Sequence, residues 1–219
     1  MRSSDIALRR RLAHVFWIGG PPDAGKTTVA DLLAQQHGYA VYHFDRHEMA
    51  HFARADPQRH PSLYAAHPDR MTTEERWLGS TPEAMARTTM ASWSERSEMA
   101  IDDLLALPGD VPIVAEGPGF FPAVVIPWLT DPPNATWLIP TEDFALASAL
   151  HRGKPGSRHE TSDPERATVQ IIARDRLMRR EILRQVRAFG LPWIEVDGMV
   201  AAKVLAQCVA AQPFFASHR

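Results

Sequence analysis

Gly20-Pro21-Pro22-Asp23-Ala24-Gly25-Lys26-Thr27-Thr28 matches the pattern G-x-x-x-x-G-K-[ST], the phosphate-cradling P-loop. Glycines let such a loop curl its N–H groups inward onto phosphate oxygens, and the helix beginning at Lys26 adds the positive end of its dipole. Lys26 supplies a point charge for β/γ-phosphates and the Thr27 hydroxyl a ligand for Mg²⁺. The flanks are the ones the motif needs. Residues 15–18 (Val-Phe-Trp-Ile) read as a short buried strand, and Val29, Ala30, Leu32, Leu33 and Gln36 follow helical spacing to a stop at His37-Gly38. Lysine occurs only at positions 26, 154 and 203, so a lysine at the motif position is not a product of a lysine-rich background.

The 219 residues suffice for one α/β unit with a substantial core. A 45% hydrophobic and 23% charged composition is that of a globular protein, and a formal net charge of −2 gives no general attraction to nucleic acid or membrane. The single cysteine, Cys208, excludes an internal disulfide and fits a reducing cytoplasm. Arg9-Arg10-Arg11 before residues 12–18 resembles the basic and apolar regions of a leader. The apolar run is short, contains His14 and leads directly into the P-loop, so it reads as strand one. No run approaches the roughly 20 apolar residues of a membrane span.

Beyond the P-loop the chain alternates. Residues 39–45 read as strand two, and 46–81, broken by Pro57, Pro61, Pro68 and Gly79, as short helices around a site. Thr81-Pro82 starts one long helix that runs to Pro108-Gly109, with Met85, Thr89, Trp93, Arg96, Met99 and Leu104 recurring at helical spacing. Strand three spans 111–116, a short helix 121–129, strand four 135–139, a helix 140–151, a loop 152–163, a long helix 163–189, strand five 192–196 and a last helix 200–211. The pattern predicts a three-layer α/β sandwich on a five-stranded parallel sheet, with ligands beyond the strands' carboxyl ends. Asp45, Glu116 and Asp197 all fall at such ends. Five of the six tryptophans (17, 93, 128, 137 and 193) lie on predicted strands or helices and read as core.

The order of these elements, carried by Gly20 to Thr28, Asp45, Arg152 and Asp197-Gly198, resembles the nucleoside-monophosphate-kinase-like branch of P-loop NTPases. That branch includes adenylate, shikimate and gluconate kinases and chloramphenicol phosphotransferase. The chain is also similar to uncharacterised bacterial P-loop proteins with an Ile-Val-Ala-Glu-Gly third strand. The resemblance implies ATP and Mg²⁺ as cofactors, a small-molecule acceptor met by Asp45, and lid cations at Arg152, Lys154 and Arg158 over the transferring phosphoryl group. It implies an acceptor-binding insert at 46–81 and a small helical lid at 141–163.

Glu116, ending an apolar strand, is a candidate for Mg²⁺ or acceptor, although a Walker-B residue is usually Asp. Asp45 reads as base for the acceptor hydroxyl or as a helix cap. Asp197 is assigned to the nucleotide side by the resemblance. Arg174 lies on the long helix and could point back to the phosphates, whereas Arg176, Arg180, Arg184 and Arg187 form a solvated stripe opposite Ile171, Met178, Ile182, Val186 and Phe189. Among the cations and aromatics of residues 51–77, which suit a phosphorylated or otherwise polar acceptor, Arg54 is the acceptor-binding candidate.

His47-Glu48-Met49-Ala50-His51 is literally H-E-x-x-H, the zinc-protease pattern, with Glu74 or Glu75 as conceivable third ligands. It lacks the extended form and falls where the acceptor is expected. The leading expectation is an ATP-dependent phosphotransferase. The alternatives are a nucleotide-binding regulatory protein or slow ATPase and, remotely, a zinc hydrolase.

Overall fold

A computed structural model describes residues 3–130, 132–151 and 157–217. In chain order the elements are α1 (Ser3–Arg11), β1 (Val15–Gly19), α2 (Lys26–His37), β2 (Ala40–His43), α3 (Glu48–Arg54), α4 (Pro61–Ala65), α5 (Thr73–Leu78), α6 (Pro82–Ala106) and β3 (Ile113–Glu116). There follow α7 (Pro122–Val125), β4 (Ala135–Pro140), α8 (Glu142–His151), α9 (Pro164–Ala188), β5 (Trp193–Val196), α10 (Ala202–Ala210) and α11 (Pro213–Ser217). The strands form one parallel sheet in the order β2-β3-β1-β4-β5. The expected three-layer fold on a five-stranded parallel sheet is therefore present.

Central strands covered on both faces must be apolar on both, and β1 is buried along its whole length. Alternate residues serve opposite layers. Val15 and Trp17 join Ala115, Trp137, Leu104 and Met178 in the core under α6 and α9. Phe16 and Ile18 join Leu33, Leu138, Leu205 and Phe215 under α2, α10 and α11. Trp17 and Trp137 are fully buried, and Trp93, Trp128 and Trp193 pack against the same core. The two long helices start where the sequence predicts. Thr81 Oγ1 accepts from the Ala84 amide at 3.3 Å, and Asp163 Oδ1 from the Arg166 amide at 3.0 Å. Each cap contributes about 1 kcal/mol.

Three boundaries differ from expectation. Strand two stops at His43, and Phe44–His47 turn into a 3-10 helix, because a buried arginine described below captures the Phe44 carbonyl. Strand three begins at Ile113, since Pro112 has no N–H to give to a ladder. Beyond the expected final helix, Pro213 opens α11, whose Phe214 and Phe215 pack on Phe16. On α9 the arginine stripe is exposed and Met178, Ile182 and Val186 are buried, as expected. Phe189 is exposed and Ile171 only half-buried. No helix among the described residues is long and apolar enough to cross a membrane.

Asn134 joins the two halves of the sheet. Its buried side-chain amide donates to the Val15 carbonyl at 2.5 Å and its oxygen accepts from the Thr130 amide at 2.9 Å. Asn134→Leu leaves both backbone groups without a partner. We expect a loss of about 2–4 kcal/mol in unfolding free energy by denaturant titration. A loss under about 0.5 kcal/mol would show that the loop re-forms these bonds elsewhere.

Candidate functional site

The P-loop leaves β1 through Gly20, at φ +134°, where a Cβ would lie 2.2 Å from the Leu138 carbonyl oxygen. Only glycine passes so close to β4. The loop ends at Gly25, left-handed at φ +78°, and α2 begins at Lys26. Lys26 is buried and its Nζ donates to the Pro21 carbonyl at 2.7 Å, so the cation lies folded against the loop.

Parallel pairing sets Glu116 opposite Ile18, two residues before the loop, and His43 opposite Glu116 on the other side. The Thr27 hydroxyl consequently donates to Glu116 Oε1 at 3.2 Å, and His43 Nδ1 lies 2.9 Å from the same oxygen. The other ring nitrogen of His43 lies 3.3 Å from Asp31 Oδ1. Glu116 is only 3% exposed, and these two contacts fix its orientation. Thr27 and Glu116 form a hard oxygen pair at the loop, which fits Mg²⁺. His43 is a site residue that the sequence does not mark, except as a polar residue in line with Glu116 on a neighbouring strand.

Arg96, in the middle of α6, is fully buried. It donates to the Phe44 carbonyl at 2.7 Å and to Glu48 Oε1 at 3.0 Å, and its guanidinium lies 4.0 Å from the Phe44 ring centroid. Phe44 in turn fills the space over Gly117, where a Cβ would sit 2.2 Å from Phe44 Cβ. Arg96 thus clamps the Phe44–His47 turn to the loop that follows Glu116. Burial pulls the Arg96 guanidinium below its ordinary pKa, and Glu48 and Asp45 oppose that.

The H-E-x-x-H residues belong to this clamp. His47 stacks on Tyr42 at 4.4 Å, and Glu48 pairs with Arg96. His51 is fully buried, with Nε2 2.8 Å from Asp103 Oδ2 and Nδ1 3.4 Å from Arg96 Nε. Since Arg96 can only donate, Nδ1 accepts and Nε2 carries the hydrogen. Of the conceivable third ligands, Glu74 holds Ser162 and Glu75 closes the capping box with Thr72. Among the described residues no group of three or more His, Cys, Asp or Glu side chains is placed to hold a metal ion.

One cleft of about 1600 Å³ runs from residues 22–28 to residues of α3, α4, α5 and α6. Asp45, Glu48, Glu116, Arg76, Trp77 and Arg174 all line it. Arg174 forms two contacts with Asp175 Oδ1, at 2.8 and 2.6 Å, and lies over Trp77 at 5.2 Å. Burial raises the Asp175 carboxyl, chiefly against the pull of Arg174, with Asp23 and Lys26 also acting on it. Arg76 donates to the Ala66 carbonyl at 2.6 Å. Burial lowers its pKa, with Glu48 and Arg174 both acting on it.

Arg54 and Asp197 stand apart from the cleft lining. Arg54 braces α3 to α6, donating to Asp103 Oδ1 at 2.6 Å and to the Met99 carbonyl at 3.1 Å. Asp197, exposed after β5, accepts from the Met199 amide at 2.9 Å and so shapes its own turn. Arg152 and Lys154 lie outside the described residues, as does the Arg158 side chain. Arg76 and Ser92, on the cleft wall, and Arg96 and Asp103, of the buried clamp, were not singled out from sequence as site residues.

No family model matches the chain, and no curated protein matches it. Among solved structures it is similar to shikimate kinase from Acinetobacter baumannii in complex with shikimate, at 17% identity over 89% of each chain with a TM-score of 0.47. A protein from Thermus thermophilus matches at 17% identity over 90% of this chain and 96% of that one, with a TM-score of 0.45. Deoxyadenosine kinase from M. mycoides with bound dCTP matches at 10% identity over 89% and 96%, with a TM-score of 0.41.

The clamp has a pH signature. Burial holds His51 below its ordinary pKa, against the pull of Asp103. Below the ordinary value of 6.5 the unfolded chain takes up a proton that the folded chain resists, so the His51 contribution to stability is present above that pH and lost below it. The stability gap between wild type and His51→Gln should narrow between pH 7 and 5, by up to about 1.4 kcal/mol per pH unit. A gap constant over that range in parallel denaturant titrations would contradict the buried neutral imidazole.

Proposed function

We propose that the chain is an ATP- and Mg²⁺-dependent phosphotransferase that moves the γ-phosphoryl group to a hydroxyl of a small molecule held in the same cleft. The carrying observation is that one cleft has the P-loop at one end and a carboxylate-lined chamber at the other. Its volume, about 1600 Å³, exceeds the roughly 300–1,000 Å³ of a pocket for one ligand. A nucleotide-binding module or slow ATPase needs no second chamber.

In this reading the loop N–H groups and the start of α2 hold the triphosphate, and Lys26 exchanges the Pro21 carbonyl for phosphate oxygens. Thr27 and Glu116 would hold Mg²⁺, which when bound neutralises phosphate charge. Asp45, exposed on the cleft wall just beyond strand two, accepts the proton of the attacking hydroxyl. The acceptor oxygen bonds to the γ-phosphorus as the bond to the ADP oxygen breaks. Arg174 and Arg76 add positive charge between the two ends, and Arg152 is assigned to the lid over them. Residues 46–81 form the acceptor side and 141–163 the lid, whose Ser162 is tied to Glu74 of α5.

ADP release should rise when a suitable acceptor is added to enzyme, ATP and Mg²⁺. Asp45→Asn should lower the acceptor-stimulated rate about 10²- to 10⁴-fold with little change in affinity for an ATP analogue. Lys26→Ala should weaken that affinity itself. An Asp45→Asn enzyme with wild-type stimulated turnover would remove Asp45 from the chemistry. Basal turnover that no acceptor raises would favour the slow ATPase.

A further inference from the structure

We infer that Ser92 is an acceptor-specificity residue, and that the acceptor presents uncharged hydroxyl groups to it rather than a carboxylate or phosphate. This rests on the phosphotransferase reading for the word acceptor, while the ligand chemistry comes from the cleft wall itself.

The polar side chains of α6 show what is unusual about Ser92. Helical serines and threonines commonly return their hydroxyls to a carbonyl one turn back. Thr88 does so to Ala84 at 3.0 Å, Ser94 to Met90 at 2.8 Å and Ser97 to Trp93 at 2.9 Å. Ser92 does not. It is 5% exposed and lines the cleft, yet its hydroxyl has no hydrogen-bond partner among the described residues. The Ser92 oxygen opens on the cleft, where a hydrogen-bonding ligand can take the place of solvent. Thr89, three residues earlier and therefore on the same helix face, also lines the cleft with an unpartnered hydroxyl. Two such groups on one wall can both bond to a hydrogen-bonding ligand that lies against them.

The charges in this chamber favour an uncharged partner over an anionic one, and Arg174, which also lines the cleft, is paired with Asp175. Asp45 and Glu48 line it. The cations expected from residues 51–77 are mostly directed elsewhere: Arg54 to Asp103, Arg59 to Glu98, and Arg70 to the Tyr64 carbonyl and ring. Arg76, which lines the cleft, donates to the Ala66 carbonyl. Ionised carboxylates accept from hydroxyls and repel a second anion. Phe52, Met71, Met85 and Trp93 add apolar surface, so the acceptor also has an apolar face.

The test is calorimetric, on the full chain saturated with Mg²⁺ and a non-hydrolysable ATP analogue. The probes are matched pairs: phenyl glucoside against phenyl glucuronide, and adenosine against its 5′-monophosphate. The uncharged member of at least one pair should bind ~10-fold or more tighter than its anionic counterpart. Ser92→Ala should weaken that binding ~3- to 10-fold, the effect of one hydrogen bond. Its Tm should stay equal to wild type or rise, since no bond of the free protein is lost and alanine favours the helix. A structural serine would instead lower Tm. Tighter binding of the anionic members, binding by neither member of either pair, or unchanged affinity in Ser92→Ala would each overturn the inference. Transfer is read separately as ADP formation from ATP. Binding of an uncharged probe without transfer would count against the phosphotransferase reading alone.

Discussion

Arg96 carries a full positive charge at complete burial, and its partners determine where residues 44–51 and their side of the cleft can lie. Desolvating a guanidinium costs several kcal/mol unless hydrogen bonds and a counter-charge replace water. Here the Phe44 carbonyl, Glu48 and His51 supply them, and all three belong to residues 44–51. Any other course of that segment would strand the cation. The end of strand two, the 3-10 turn bearing Asp45 and the placement of Glu48 on the cleft are consequences of one buried charge. The Phe44 ring between Arg96 and Gly117 extends the constraint to the loop after Glu116.

The P-loop end depends on strand order instead. With β3 directly beside β1, Glu116 stands next to the residues that lead into the P-loop, and its carboxylate reaches the Thr27 hydroxyl. Two independent constraints therefore converge on one cleft. The sheet sets the phosphate end, and the Arg96 clamp sets the carboxylate end. The distance between the two ends is fixed by β2 and β3, which are paired through His43 and Glu116.

Much of this was legible in residue order. Strand, glycine loop and helix around Gly20 to Thr28 have a local cause, as do the Thr81 and Asp163 caps, and all three are where periodicity and capping chemistry put them. Asp45 and Glu116 were recognisable as cleft residues, because each is a carboxylate at the end of an apolar run. His43, Asp103 and Ser92 were not, because their significance comes from partners 73, 52 and more residues away, or from the lack of one. Arg96 left a trace that was read only as helical periodicity: an arginine at an inward-facing position of α6 requires buried acceptors. Arg54 shows the converse. A cation in an acceptor-like segment is no evidence of ligand contact until its own partners are known. The H-E-x-x-H pattern is likewise accounted for by the Arg96 and Asp103 contacts.

The central claim is that a nucleotide on the P-loop directs its γ-phosphate toward Asp45 across the shared cleft. A crystal structure of the full chain with Mg²⁺ and a non-hydrolysable ATP analogue tests it most directly. In that structure Lys26 Nζ should leave the Pro21 carbonyl for the phosphates, and the γ-phosphate should face the chamber between Asp45 and α6. A γ-phosphate directed away from that chamber, or Lys26 still bonded to Pro21 beside bound nucleotide, would contradict it.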